Sequence, residues 1–245
     1  MSETHSSADR GRRERRIFRA FDKRASFYGG ALEGRFDAAA REEIVAAARY
    51  KLEQLVAEIP YAGQDRHPMV QNIVGPYTLL CFALVLRERG CSTEEIGAFF
   101  RDSFTVPFPW LPGWLLQRLK RPVFWLTFRR LASVAEASQR REHPDEFVVA
   151  VPTSPGDADY ALEIHDCAVC KAFAKHGEES VVPYICATDD LVSDALGLGL
   201  RRTGTRALGA ECCDFRYEFG GKPLRIQDQY DLARGKRLTA ERSIS

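Results

Sequence analysis

Five of the seven cysteines fall between Asp159 and Tyr217, a stretch reading DYALEIHDCAVCKAF, then PYICATDDL, then GAECCDFRY. A thiolate is both a strong nucleophile and a soft metal ligand, and what lowers the thiol pKa decides whether it is available. Asp166 is placed to cap a helix running from Cys167 to His176, with Gly177 as its stop. In the first turn of such a helix, amide N–H groups without partners and the positive end of the macrodipole favour a Cys167 thiolate. Cys186 stands just ahead of Thr188-Asp189-Asp190, a capping run expected to open a helix through Leu196. Two aspartates so near oppose a thiolate, so the direction of that shift stays open. Alternation along 212–219 sets Cys212, Asp214 and Arg216 on one strand face and Cys213, Phe215 and Tyr217 on the other. A thiol beside Asp and Arg suits a small anionic substrate. A surface ion pair over a core of Cys213, Phe215 and Tyr217 explains the same pattern.

Holding these residues requires a sheet. Phe147–Val151 is short and β-branched, residues 152–157 make a turn, and Tyr160–Ile164 alternates, so the two runs should pair as a hairpin. Arg201–Thr205 and Cys212–Phe219 read as further strands of the same sheet. The chain ahead is helical: Ile44, Ala48, Leu52, Leu55 and Ile59 recur at three and four, and Pro60 stops the run. Tyr77–Arg89 is apolar nearly all round, as a central buried helix ending at Gly90 would be. Ser92 and Glu95 have capping-box spacing for a helix burying Ile96, Phe99 and Phe100. Cys81 and Cys91 read as packing residues. The expected architecture is α+β: a helical N-terminal half packed on a small antiparallel sheet with two short flanking helices. Its parts are a disordered basic arm over 1–35, a helical region over 36–143, the cysteine-bearing α+β region over 144–235 and a tail over 236–245. His143-Pro144 marks the boundary between halves.

Composition narrows the functional classes. With 45% hydrophobic and 28% charged residues and a net charge of +1, nothing global draws the chain to nucleic acid. No uncharged apolar run reaches the ~18 residues of a membrane span, and the first residues lack the apolar core of a secretory signal. An odd number of cysteines in that setting points to the reducing cytoplasm and to catalytic, metal-binding or buried thiols rather than a disulfide framework. Residues 104–131 hold all three tryptophans among four prolines and a set of basic side chains. They read either as a broken helix pair with Arg and Lys snorkelling outward, or as a basic aromatic surface. That surface would rest on a membrane or line a hydrophobic ligand pocket.

One order of residues remains: Asp166-Cys167, Gly177, Cys186-Ala-Thr-Asp189, Arg202-Thr-Gly-Thr205, Gly209 and Cys213-Asp214-Phe215-Arg216. It resembles the L-2-amino-thiazoline-4-carboxylic acid hydrolases, densely across 159–217 and more weakly from Tyr77 to Phe104. The resemblance implies a hydrolase that opens a cyclic isothiourea to N-carbamoyl-cysteine. The ring carbon is electrophilic once its nitrogen is protonated. A cysteine thiolate attacks it while a carboxylic acid supplies the proton, or a carboxylate activates water directly. On this reading Cys167, Cys186 and Cys213 are the site thiols, Asp189 and Asp214 the acid/base groups, and Arg216 or Arg202 the clamp on the substrate carboxylate. Strand parity sends Cys213 and Asp214 to opposite faces, so both reach one pocket only through a bulge or a frayed end; on a regular strand Cys212 is the better partner for Asp214. The expected partner is a small anionic substrate, with no nucleic acid and no cofactor. Three rivals stand beside this: zinc held by Cys167, Cys186 and Cys213 with His165 or Asp189, dithiol chemistry at Cys167-x-x-Cys170, and a non-catalytic sensor or carrier.

Overall fold

Local signals place the first helices. A computed structural model describes residues 7–60, 68–104, 113–142 and 144–221. By contacts, the chain divides into residues 1–103 with 175–181, and residues 104–174 with 182–245. In the first unit, α1 (Ser7–Asp22) and α2 (Ala25–Ala31) precede α3 (Ala38–Leu55), whose Asp37 carboxylate accepts a hydrogen bond from the Ala40 amide at 2.8 Å. α4 (Pro68–Glu88) begins well before Tyr77 and carries Pro76 within it. After Gly90 turns the chain at φ 81°, α5 (Thr93–Asp102) starts with the reciprocal Ser92–Glu95 capping box. Ile44, Ala48 and Leu52 of α3 are fully buried, and the Phe82 ring of α4 packs against Phe21, Tyr28 and Phe99. Residues 175–181 join this unit through Glu178, which takes a two-point hydrogen bond from the Arg87 guanidinium at 3.1 and 3.0 Å.

The basic arm expected over 1–35 is helical from Ser7. Charge counting overlooked a stripe at i, i+4, i+8: Arg13, Ile17 and Phe21 are all buried. The Arg13 guanidinium donates to the carbonyls of Ile59 and Pro60 at 3.1 and 2.7 Å, which is how a cation is tolerated there.

The second unit holds the sheet. α6 (Gly113–Ser138) is one helix with Pro122 inside it, where a broken pair was expected. Residues 105–112 lie outside the described residues, as do His143 and the tail 236–245. The division falls after Ser103, not at His143-Pro144, because α6 packs on the sheet. Strands β1 (Val148–Ala150), β2 (Tyr160–Asp166), β3 (Leu198–Arg201) and β4 (Cys213–Phe219) form an antiparallel sheet in the order β1-β2-β4-β3. The fold is α+β, and β1 and β2 pair as the hairpin read from sequence. Register places Ile164 opposite Cys213, Leu162 opposite Phe215, and Tyr160 and Leu200 opposite Tyr217. Phe124 and Phe128 of α6 cover that face through Tyr160 and Tyr217 at 4.6–6.1 Å between centroids.

Three boundaries move. α7 (Ala168–Lys175) begins one residue later than expected, so Cys167 directly precedes it, and Asp166 pairs with Arg141 at 2.6 Å and Lys171 at 3.5 Å. α8 (Val182–Ala195) begins before Cys186, not after it, because Pro183 is acceptable in a first turn. Thr188 therefore bonds back to the Ile185 carbonyl at 2.7 Å instead of capping. The strand expected over 201–205 lies at 198–201, since the amides of Thr203 and Gly204 turn away to the Asp214 carboxylate. Among the described residues, no helix is long and apolar enough to cross a membrane.

Candidate functional site

The inner face of β4 gathers the thiols. Cys213 points into this face and is buried. Its sulfur accepts a hydrogen bond from the Arg206 amide at 3.1 Å, because the chain turns at Gly209 (φ 85°) and lays residues 205–208 beside the strand. Cys167, also buried, directly follows the neighbouring β2 and leads into α7. Cys170 lies one helical turn on, placed for its S–H to hydrogen-bond the Cys167 sulfur. That bond, helped by the amides of Val169 and Cys170 at the helix start, holds the Cys167 thiol below its ordinary pKa although burial opposes it. The same bond drives the Cys170 thiol up, with burial adding to it. Cys186, in the second turn of α8, is raised well above the ordinary value by burial, with Arg202 opposing. Burial pushes Cys213 up to about 11. All four sulfurs lie within reach of one another's charge.

Arg202 ties the cluster together. Its side chain is 2% exposed; Nη1 donates to Asp189 Oδ2 at 2.8 Å and Nη2 to the Cys186 carbonyl at 2.9 Å. The guanidinium carbon lies 4.9 Å from the centre of the Phe215 ring, a cation–π contact in a desolvated setting. Asp189 keeps 40% of its side-chain surface open while protein surrounds it on the other sides. Burial raises its pKa, and Arg202 pulls it back. Asp190, next along α8 and buried, is raised to about 7 by burial, the Asp189 charge adding and Arg202 opposing. The Tyr217 hydroxyl feels the same three charges, its pKa raised chiefly by burial. The cluster thus holds a thiol whose pKa is lowered, a carboxyl group raised to about 7 and a solvent-touching carboxylate fixed by a buried cation.

Of the residues singled out by sequence, Cys167, Cys186, Cys213, Asp189 and Arg202 come together. Asp214 and Arg216 do not join them. Asp214 projects from the opposite face and accepts hydrogen bonds from the Thr203 amide and hydroxyl and the Gly204 amide, clasping the turn after β3. Arg216 spends its fork on Glu163 Oε1 at 2.8 Å and the Phe215 carbonyl at 3.1 Å. Arg202 is likewise engaged, so neither guanidinium presents an uncommitted fork to a carboxylate. Cys212 stands on the Asp214 face, its pKa raised by burial and by Glu163. β4 is regular, so the parity conflict resolves with Cys213 inside. Sequence reading assigned no acid/base part to Asp190, whose burial could have been read from its α8 neighbours Val182, Ala187 and Ser193 only once the helix start was right. Cys170 was visible as a CxxC partner but was not counted with the site thiols.

Residues 116–217 match the model of the L-2-amino-thiazoline-4-carboxylic acid hydrolase family. The match bears out the resemblance seen in the cysteine stretch. It runs from α6 through Tyr217 of β4, so the matched segment contains every residue of the thiol cluster. The first unit's helices before residue 104 lie outside it. Comparison with curated proteins and with solved structures returned no match. Among the described residues, no group of three or more His, Cys, Asp and Glu side chains is arranged to hold a metal ion.

Proposed function

We propose that this chain hydrolyses a cyclic isothiourea of the 2-amino-thiazoline-4-carboxylate type, with Cys167 as nucleophile and the Asp189–Asp190 pair handling protons. The observation that carries the reading is the buried Arg202 guanidinium holding Asp189 at 2.8 Å and the Cys186 carbonyl at 2.9 Å, beside the buried Cys167 and Cys213 and within the matched segment. The Cys167 thiolate adds to the amidine carbon of the protonated ring, forming a C–S bond. The ring C–S bond then breaks, and Asp190, neutral below about pH 7, gives its proton to the departing sulfur. Asp189, oriented by Arg202, accepts a proton from water as water adds to the same carbon. As the Cys167 thiolate is expelled, the Asp190 carboxylate takes the remaining hydroxyl proton, which gives the urea and restores the acid, and Asp189 returns its proton to solvent: one water is consumed and one ring opened. Cys170 and the two helix-start amides stabilise that thiolate before attack and as it leaves.

The test uses the purified full chain with L-2-amino-thiazoline-4-carboxylate, following N-carbamoyl-cysteine by mass spectrometry and the new thiol by colorimetric titration. Turnover is expected, and Cys167→Ser should lower kcat by roughly a hundredfold or more, taking general-acid/base-sized effects as the floor. Unaltered turnover in folded Cys167→Ser would remove the covalent step. Saturable binding without product would place the chain among carriers or sensors instead.

A further inference from the structure

Four large apolar side chains stand exposed among the described residues, and two are neighbours on α6: Trp125 at 53% and Leu126 at 45%. Arg118, Arg121, Arg129 and Arg130 are exposed as well. Spacings of three and four put Arg118, Trp125, Leu126, Arg129 and Arg130 on one side of the helix, with Arg121 at its edge over the Phe219 ring at 5.0 Å, while Phe128, Leu131 and Ala135 are buried on the other. No Asp or Glu occurs from residue 104 to 135, and the first acid after that is Glu136. The Arg129 guanidinium rides 5.3 Å from the Trp125 ring centre, so charge and apolar surface are presented together. A cavity of about 240 Å³ beside Trp125 is edged by Pro152, Pro155 and Asp159. That aspartate accepts from the Phe219 amide at 2.7 Å.

Water suits the arginines but not the Trp125–Leu126 pair, and a protein partner would need an array of acids opposite four guanidinium groups. An anionic bilayer surface meets both demands. Its phosphates pair with arginine, and its headgroup–acyl boundary takes an indole and a leucine side chain. Nucleic acid offers the same charge, but gains nothing from Leu126, which has no face for a base to stack on. We infer that the exposed side of α6 is a peripheral docking surface for anionic phospholipid membranes. Trp125 and Leu126 enter the boundary layer while Arg118, Arg121, Arg129 and Arg130 contact headgroups. The helix lies along the surface and does not cross it, consistent with its length and its charges. This inference is independent of the hydrolase reading, because none of the six residues belongs to the thiol cluster.

The test is co-sedimentation of the full chain with vesicles of phosphatidylcholine, alone or with about a third phosphatidylserine, at low salt. The chain should sediment with the serine-containing vesicles at least about tenfold more tightly than with neutral ones, and high salt should release it. Two double variants, Trp125→Ala/Leu126→Ala and Arg118→Gln/Arg129→Gln, should each weaken binding by about tenfold, with circular dichroism unchanged because every substituted side chain is exposed. Absence of binding to phosphatidylserine vesicles at low salt overturns the inference, as does binding that neither variant weakens. Tighter binding to single-stranded polyuridylate, with displacement from vesicles, would assign the face to nucleic acid instead.

Discussion

The two faces of β4 carry the same kinds of residue to different ends. Inward, Cys213 and Tyr217 meet Arg202, Asp189 and Asp190, where protein replaces water and every charge alters its neighbours' protonation. Outward, Asp214 and Arg216 are half-buried, and each is satisfied locally, by a turn and by Glu163. Alternate residues of one strand thus separate reactive chemistry from structural pairing. The lesson is that a charged residue beside a cysteine in sequence says little, whereas the face it shares says a great deal.

The largest effect that tests this contrast is removal of the buried cation. Arg202→Met leaves Asp189 and Asp190 without their opposing charge in a poorly solvated setting. Breaking a buried pair from one side typically costs several kcal/mol, and the 40% exposure of Asp189 relieves part of that. A loss of about 3 kcal/mol of stability is expected, read as a lower urea unfolding midpoint. If Arg202→Met is as mild as a surface substitution, the inner face is not the coupled electrostatic unit described here.

A second measurement sharpens the comparison through pH. Asp190 has its folded pKa raised to about 7 from the usual 3.8, so the folded state prefers the protonated form. Below the unfolded value both states are protonated, and the group contributes nothing. As pH rises from about 4 to 7 the unfolded chain releases that proton while the folded chain retains it, so stability falls; above about 7 the penalty is complete. Asp190→Asn should therefore gain stability relative to the parent chain between pH 4.5 and 8, by about 2 kcal/mol, read from unfolding curves across that range. A difference that does not change with pH would mean that burial does not perturb Asp190.

Much of this arrangement was legible in the chain. Alternation along 212–219 separated the two faces correctly, and the D-C and C-x-x-D spacings pointed to thiols that do meet. What failed was the pull of local charge. Thr188-Asp189-Asp190 looks like a cap, yet Val182-Pro183 starts the helix earlier, and this turns Asp190 from a cap into a buried acid. Asp214 resembled an acid/base group by its neighbours in sequence, but its partners are amides about ten residues away, which no periodicity reports. The basic arm failed for the opposite reason: its charges were conspicuous, while the Arg13–Ile17–Phe21 stripe was sparse. Burial of a cation against carbonyls contributed by a later helix end is a tertiary fact, absent from local pattern.

The smallest expected effect is on the outer face. Arg216 and Glu163 form a 2.8 Å pair with roughly a quarter of each side chain exposed, and His165 Nε2 lies 3.6 Å from the same carboxylate. Such pairs gain little over their hydrated alternatives, because solvent screens them and ordering two long side chains costs entropy. Arg216→Ala should lower stability by about 0.5–1 kcal/mol and leave the reactivity of Cys167 toward a thiol reagent unchanged. Glu163 remains close to water after the substitution, so no uncompensated buried charge is created, which is the physical difference from Arg202. Were Arg216→Ala to slow Cys167 modification, the sheet would be transmitting outer-face charge to the inner cluster, and the separation by strand parity would be wrong.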